Sequence, residues 1–147
     1  MMPGRQPRKD LRALAGLARR EALVAVYAFG SRAKEALEAL SAGDARLQPS
    51  SSDLDIAVVA EPGKHLTVLD KVRIAQELED LSGTPRVDLV VLPEADPFLA
   101  ANIVRGERLY AADDHAADEY ELYVLRRAGD LIPLERERQQ LILGEEP

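Results

Sequence analysis

Two aspartates separated by a single residue open an apolar run, Ser52-Asp53-Leu54-Asp55-Ile56-Ala57-Val58-Val59, and this stretch constrains the fold more than any other. Aspartate is depleted in β-strands, so two of them in a segment that otherwise reads as strand need a reason. Side chains alternate across a strand, which sends Asp53 and Asp55 to one face and Leu54 and Ile56 to the other. Two more segments share this character. Upstream, Val24-Ala25-Val26-Tyr27-Ala28-Phe29 runs into Gly30-Ser31, and downstream Val87-Asp88-Leu89-Val90-Val91-Leu92 carries a third acid at the start of an apolar strand.

The positions of the acids set the topology. The second and third strands are separated by a helix of about fifteen residues, a connection that parallel strands require. Both carry their acids at the start, whereas the first strand carries Gly-Ser at its end. The first strand must therefore run antiparallel to the second if the three features are to meet. The expected fold class is α/β: a mixed β-sheet with helices packed on it, its site at the entry ends of the parallel strands. A doubly wound dinucleotide-binding sheet places its ligand at the opposite ends.

The other elements follow from local signals. Met1 to Lys9, with Pro3, Gly4 and Pro7, reads as a mobile tail. Asp10 can cap a helix with apolar positions Leu11, Leu14, Leu17 and Ala18, and Ser31 can cap another through Leu37. Residues 41–52 read as a polar loop. Thr67 with Asp70 resembles a capping pair, opening a helix with the stripe Leu69, Val72, Ala75, Leu78 and Leu81 that Gly83 and Pro85 end. A strand over 86–92 is stopped by Pro93, Asp96-Pro97 opens a further helix that Gly106 ends, and 107–111 forms a short last strand. Helices are expected over 114–128 and 134–143, with Tyr120, Tyr123 and Val124 covering the domain's own core. The domain proper spans 10–111, with 112–147 as its C-terminal helical extension. His65 and His115 read as surface residues.

The 147 residues suit one compact domain. Its net charge of −7 disfavours loose binding to nucleic acid. With no cysteine, the chain has no disulfide framework, thiolate zinc site or cysteine nucleophile. The basic start is interrupted by Arg12, Arg19 and Arg20, unlike a signal peptide, and no segment reaches transmembrane length, so a cytoplasmic location is expected.

Three carboxylates at one sheet edge repel one another, by about 1 kcal/mol per pair at 4 Å in water and about 4 kcal/mol at an effective dielectric of 20. Oxygen ligands without His or Cys favour Mg²⁺, or Mn²⁺ in its place, over zinc. Two such ions about 3.5–4 Å apart can hold the attacking and leaving oxygens of an in-line displacement at phosphorus. In this arrangement Asp53 and Asp55 bridge both ions and Asp88 holds the one that activates the nucleophile. Gly30 lets backbone approach a phosphate, and Ser31 adds a hydroxyl at a helix start. Arg32 and Lys34 oppose the dipole of that helix, which a bound triphosphate would explain.

Gly30-Ser31-Arg32-Ala33, Ser52-Asp53-Leu54-Asp55 and Asp88 within Val87-Asp88-Leu89-Val90 together resemble the minimal nucleotidyltransferases of the DNA polymerase β superfamily. The resemblance runs from about residue 10 to residue 111. It implies the polymerase β-like nucleotidyltransferase fold, two Mg²⁺ ions and a nucleoside triphosphate donor, ATP above all. It also implies Asp53, Asp55 and Asp88 as catalytic metal ligands, with Gly30, Ser31, Arg32 and Ser52 around the nucleotide. Many members are antitoxins that transfer AMP from ATP to a tyrosine of a HEPN-type toxin encoded by the neighbouring gene. One departure stands out: 21 residues separate Ser31 from Asp53, more than the family usually has, and Glu35 follows Lys34 where the family has a glycine.

A protein adenylyltransferase acting as an antitoxin is thus the leading expectation. A small-molecule nucleotidyltransferase of the aminoglycoside-modifying kind is the enzymatic alternative, though it normally needs a further domain for its acceptor. A non-catalytic module that neutralises its partner by contact is the other. A homo-oligomer is compatible with all three.

Overall fold

A computed structural model describes residues 8–42 and 53–143. The order of elements is α1 (Arg8–Arg20), β1 (Leu23–Phe29), α2 (Ala33–Ala42), β2 (Leu54–Ala60), α3 (Val68–Ser82), β3 (Val87–Val91), α4 (Pro97–Val104), β4 (Glu107–Ala111) and α5 (Asp114–Leu143). The strands form one mixed sheet in the order β3-β2-β1-β4. β1 runs antiparallel to both β2 and β4, and β2 runs parallel to β3, as the acid positions require.

Strand alternation divides the core into two layers. Val26, Ala28, Leu54, Ile56 and Val58 face α1, α2 and α3, packing with Leu14, Leu17, Leu40, Ile74 and Leu78. Ala25, Tyr27, Phe29, Ala57 and Val59 face α4 and α5, packing with Ala101, Ile103, Val104, Val124 and Ala128. By the same alternation Asp53, Asp55 and Asp88 belong to the α4/α5 face. Among the described residues, no helix is long and apolar enough to cross a membrane.

Several local expectations are met. Thr67 and Asp70 close a reciprocal capping box, Gly83 ends α3 in the left-handed region at φ 72°, and the Asp96 side chain accepts from the Phe98 and Leu99 amides at the start of α4. Others are corrected. α1 begins at Arg8, so Asp10 lies inside it and the expected tail is helical at its end; residues 1–7 lie outside the described part. The buried stripe of α3 is Ile74, Leu78 and Ser82, while Leu69 and Val72 face solvent. Leu69 and Val72 fall on the helical face opposite Ile74 and Leu78, and only the latter meets the sheet. Tyr123 is exposed, whereas Val124 is buried.

The helices expected over 114–128 and 134–143 are one continuous helix, with Pro133 inside it. Proline removes one amide and crowds the carbonyl of the residue four before it. That residue is Gly129, and the helix runs on through the proline to Leu143.

Candidate active site

The acids meet at one end of the sheet through strand register. Asp55 of β2 stands opposite Asp88 of β3, and Phe29 of β1 stands opposite Asp55. Gly30 follows Phe29 at φ 76°, a conformation that L side chains rarely adopt. Its hydrogen points at the acid: a Cβ built on Gly30 would lie 2.5 Å from Asp55 Oδ2. The Gly-Ser turn is therefore packed directly on the central carboxylate, which no residue other than glycine would permit without displacement.

Asp55 feels this crowding. Burial raises its pKa above the usual value, and the charges of Asp88 and Asp53 raise it further. Asp53 is partly exposed, and its Oδ1 lies 3.4 Å from Nε of Arg86, itself largely exposed. Asp88 is exposed at the sheet edge. Among the described residues, no three acidic or imidazole side chains close into a ready metal cage. What the three share is one face, adjacent register and like charges that add to burial in disfavouring the Asp55 anion. Hard oxygen donors of this kind fit Mg²⁺ or Mn²⁺, and a divalent cation would relieve that repulsion.

The phosphate-turn candidates lie beside them. Gly30–Arg32 forms a 3-10 turn that leads into α2, so Ser31 sits inside the turn and does not cap the helix. The extended Phe29 precedes it without a side-chain cap. Ser31 and Lys34 are exposed. Arg32 is buried, and its Nε and Nη2 donate to Glu35 Oε1 at 3.0 Å and Oε2 at 3.1 Å. This two-point grip on Glu35 gives Arg32 a carboxylate of its own. Ser52 lies outside the described residues, and so does most of the long Ser31–Asp53 interval, of which 36–42 continues α2. His65 and His115 are both exposed.

From sequence alone Gly106 reads only as a helix terminator. A Cβ on it would stand 2.5 Å from the Ala28 carbonyl oxygen and 3.2 Å from Phe29 Cα, so it lets β4 close onto the end of β1 beside the Gly-Ser turn. Arg86 is likewise unmarked in the sequence, because its link to Asp53 appears only once β2 and β3 are paired. Nothing in the linear order marks either one.

A mixed sheet bearing acids on two parallel strands and a glycine-serine turn on the antiparallel one defines a nucleotidyltransferase. Residues 14–115 match the family model described as "Polymerase beta, Nucleotidyltransferase", and the chain belongs to that family. No curated protein matches it by sequence. Among solved structures, it is similar to a chain of a mutant MntA-HpeT toxin-antitoxin, with 24% identity, a TM-score of 0.64 and coverage of 90% of this chain and 94% of that one. A toxin-antitoxin crystallised with AMP-PNP matches with the same figures. A complex of tri-AMPylated Shewanella oneidensis HEPN toxin with MNT antitoxin matches at 23% identity and a TM-score of 0.61, covering 92% of this chain and 95% of that one.

Proposed function

We propose that this chain is an adenylyltransferase that moves AMP from ATP, with Mg²⁺, onto a hydroxyl of a HEPN-type partner protein, and so acts as an antitoxin. The observation that carries this reading is Asp55 set opposite Asp88 with Gly30 packed on its carboxylate. Similarity to chains of toxin-antitoxin complexes, one with AMP-PNP and one with an AMPylated HEPN toxin, supports the choice of nucleotide and partner.

In the proposed reaction an acceptor oxygen attacks the α-phosphorus of ATP. The new P–O bond forms as the bond to the β-phosphate bridging oxygen breaks, and pyrophosphate leaves. The acceptor's proton passes to the carboxylate cluster, of which Asp88 is the exposed member open to an incoming hydroxyl. Divalent cations held by Asp53, Asp55 and Asp88 would neutralise the phosphate oxygens and lower the barrier to attack. Gly30 gives the phosphates access to backbone, Ser31 offers its hydroxyl, and Arg32 with Glu35 fixes the turn that presents them. Ser52 would complete the nucleotide's surroundings.

The exposure of Asp88 favours one rival, a module that neutralises its partner by contact without transfer. Incubating the chain with α-labelled ATP, Mg²⁺ and the HEPN-type product of the neighbouring gene separates the two. Label on the partner that disappears with Asp53→Asn is the expected result. Tight binding with no label, unchanged by Asp53→Asn, overturns the enzymatic reading.

A further inference from the structure

The end of the sheet that carries the acids has a second border. β4 pairs antiparallel with β1, so Glu107 stands opposite Ala28 at the end of β1. Gly106 lies against Phe29 Cα, Phe29 stands opposite Asp55, and Asp55 opposite Asp88. One row therefore crosses this end of the sheet: Asp88, Asp55, the Phe29-Gly30 turn, and Gly106, which leads into β4. Arg105, the C-cap residue of α4, immediately precedes Gly106.

Arg105 is exposed, and among the described residues its guanidinium forms no ion pair. Its neighbours differ. Arg32 is held by Glu35, Arg86 faces Asp53, and Arg108 is ringed by Asp114, Asp118 and Glu121. In a chain of net charge −7, an arginine without an ion pair, one residue from the backbone that meets Phe29, is near enough along the chain to reach an anion held at the Gly-Ser turn. A cation at a helix C-terminus is favourable in itself, but that benefit would be indifferent to the number of phosphates on a ligand.

We propose that Arg105 grips the polyphosphate tail of the nucleotide, on the side of the Gly-Ser turn away from Asp88. The inference rests on reading this site as one for a nucleoside triphosphate. The order across the sheet fits it: metal-ligating carboxylates at one side for the α-phosphate, the turn in the middle, and a fork of N–H donors where the leaving pyrophosphate lies.

Calorimetric titration of the full chain with ATP and with AMP, both with Mg²⁺, tests it on wild type, Arg105→Ala and Arg105→Lys. Arg105→Ala should weaken ATP binding roughly tenfold and leave AMP binding unchanged, with Arg105→Lys regaining part of the loss. Equal ATP affinity in wild type and Arg105→Ala overturns the inference alone. So does an equal loss for ATP and AMP accompanied by a lower melting temperature, the mark of a purely structural helix cap. Failure of the wild type to bind ATP overturns the underlying reading before any substitution is considered.

Discussion

Gly30 is where backbone conformation and chemistry cannot be separated. Its positive φ and its contact with Asp55 both exclude a side chain. Gly30→Ala would cost about 1–2 kcal/mol from the left-handed conformation alone. The clash would then push the turn or the carboxylate aside, and a displacement near 1 Å at reacting groups is worth about 10²-fold in rate. We expect a modest drop in the urea midpoint together with a far larger loss of transfer; a folded, fully active Gly30→Ala would contradict the assigned contact. Ala22 shows the converse, holding a φ of 57° after α1 with no side-chain reason for it. Asp70 gives a pH-dependent case. The Thr67 amide, and then Arg73, hold its carboxyl down to about 2. A depressed folded pKa contributes stability above the unfolded value near 3.8, and this is lost as pH falls through about 2. Urea denaturation of wild type and Asp70→Asn should therefore differ at neutral pH, and the gap should close as pH falls from about 4 to 2.

At the scale of elements, some local signals hold and others do not: Asp10 and Ser31 read as helix caps, yet Asp10 lies inside α1 and Ser31 inside the 3-10 turn. Caps at Thr67 and Asp96 and the glycine stop at Gly83 rest on a few adjacent residues and match, while the third strand, expected over 86–92, is one residue shorter at each end. Other errors arose where tertiary packing decides. Leu69 and Val72 are apolar at helical spacing, yet the sheet reaches α3 only at Ile74 and Leu78. Pro133 reads as a break, yet α5 runs through it. Pro133→Ala should restore the missing amide and raise helicity in the second half of α5, observable as slower amide exchange around residues 129–137. The tie between β1 and α5 was also unreadable, because its partners are far apart in sequence. Tyr27 is fully buried, and its hydroxyl donates to Glu121 Oε2 at 2.6 Å, where Arg108 also donates at 3.0 Å. Burial and the Glu121 carboxylate both push the Tyr27 hydroxyl well above the usual tyrosine range. Tyr27→Phe keeps the ring and removes that donor, and should cost about 1–3 kcal/mol in chemical denaturation.

For the molecule as a whole, the acids could be placed from sequence because strand polarity and alternation alone bring Asp55 and Asp88 into register. The Gly30-Ser31 turn is placed by the same polarity, whereas the approach of Gly106 and the position of Arg105 depend on how β4 meets the sheet; the Arg32–Glu35 pair, three residues apart, is local and does not depend on that meeting. The assembled site has a consequence for stability. Burial of Asp55 beside two like charges opposes folding of the ligand-free chain, so whatever neutralises the cluster should favour the folded state. A ligand that binds only the folded form stabilises it by RT ln(1 + [L]/Kd), about 2.7 kcal/mol at a hundred times Kd. For a chain of this size that is roughly 5–10 °C in melting temperature. Mg²⁺ with ATP should produce such a shift in thermal melts of wild type. Asp53→Asn should lose it, because one carboxylate fewer weakens the shared grip on cation and phosphate. The same melt without ligand supplies the complementary check. Asp55→Asn removes a charge that burial disfavours, so the unliganded variant should melt no lower than wild type even as its ligand-induced shift disappears. A variant less stable without ligand would mean that Asp55 serves the fold, and the site would need another centre.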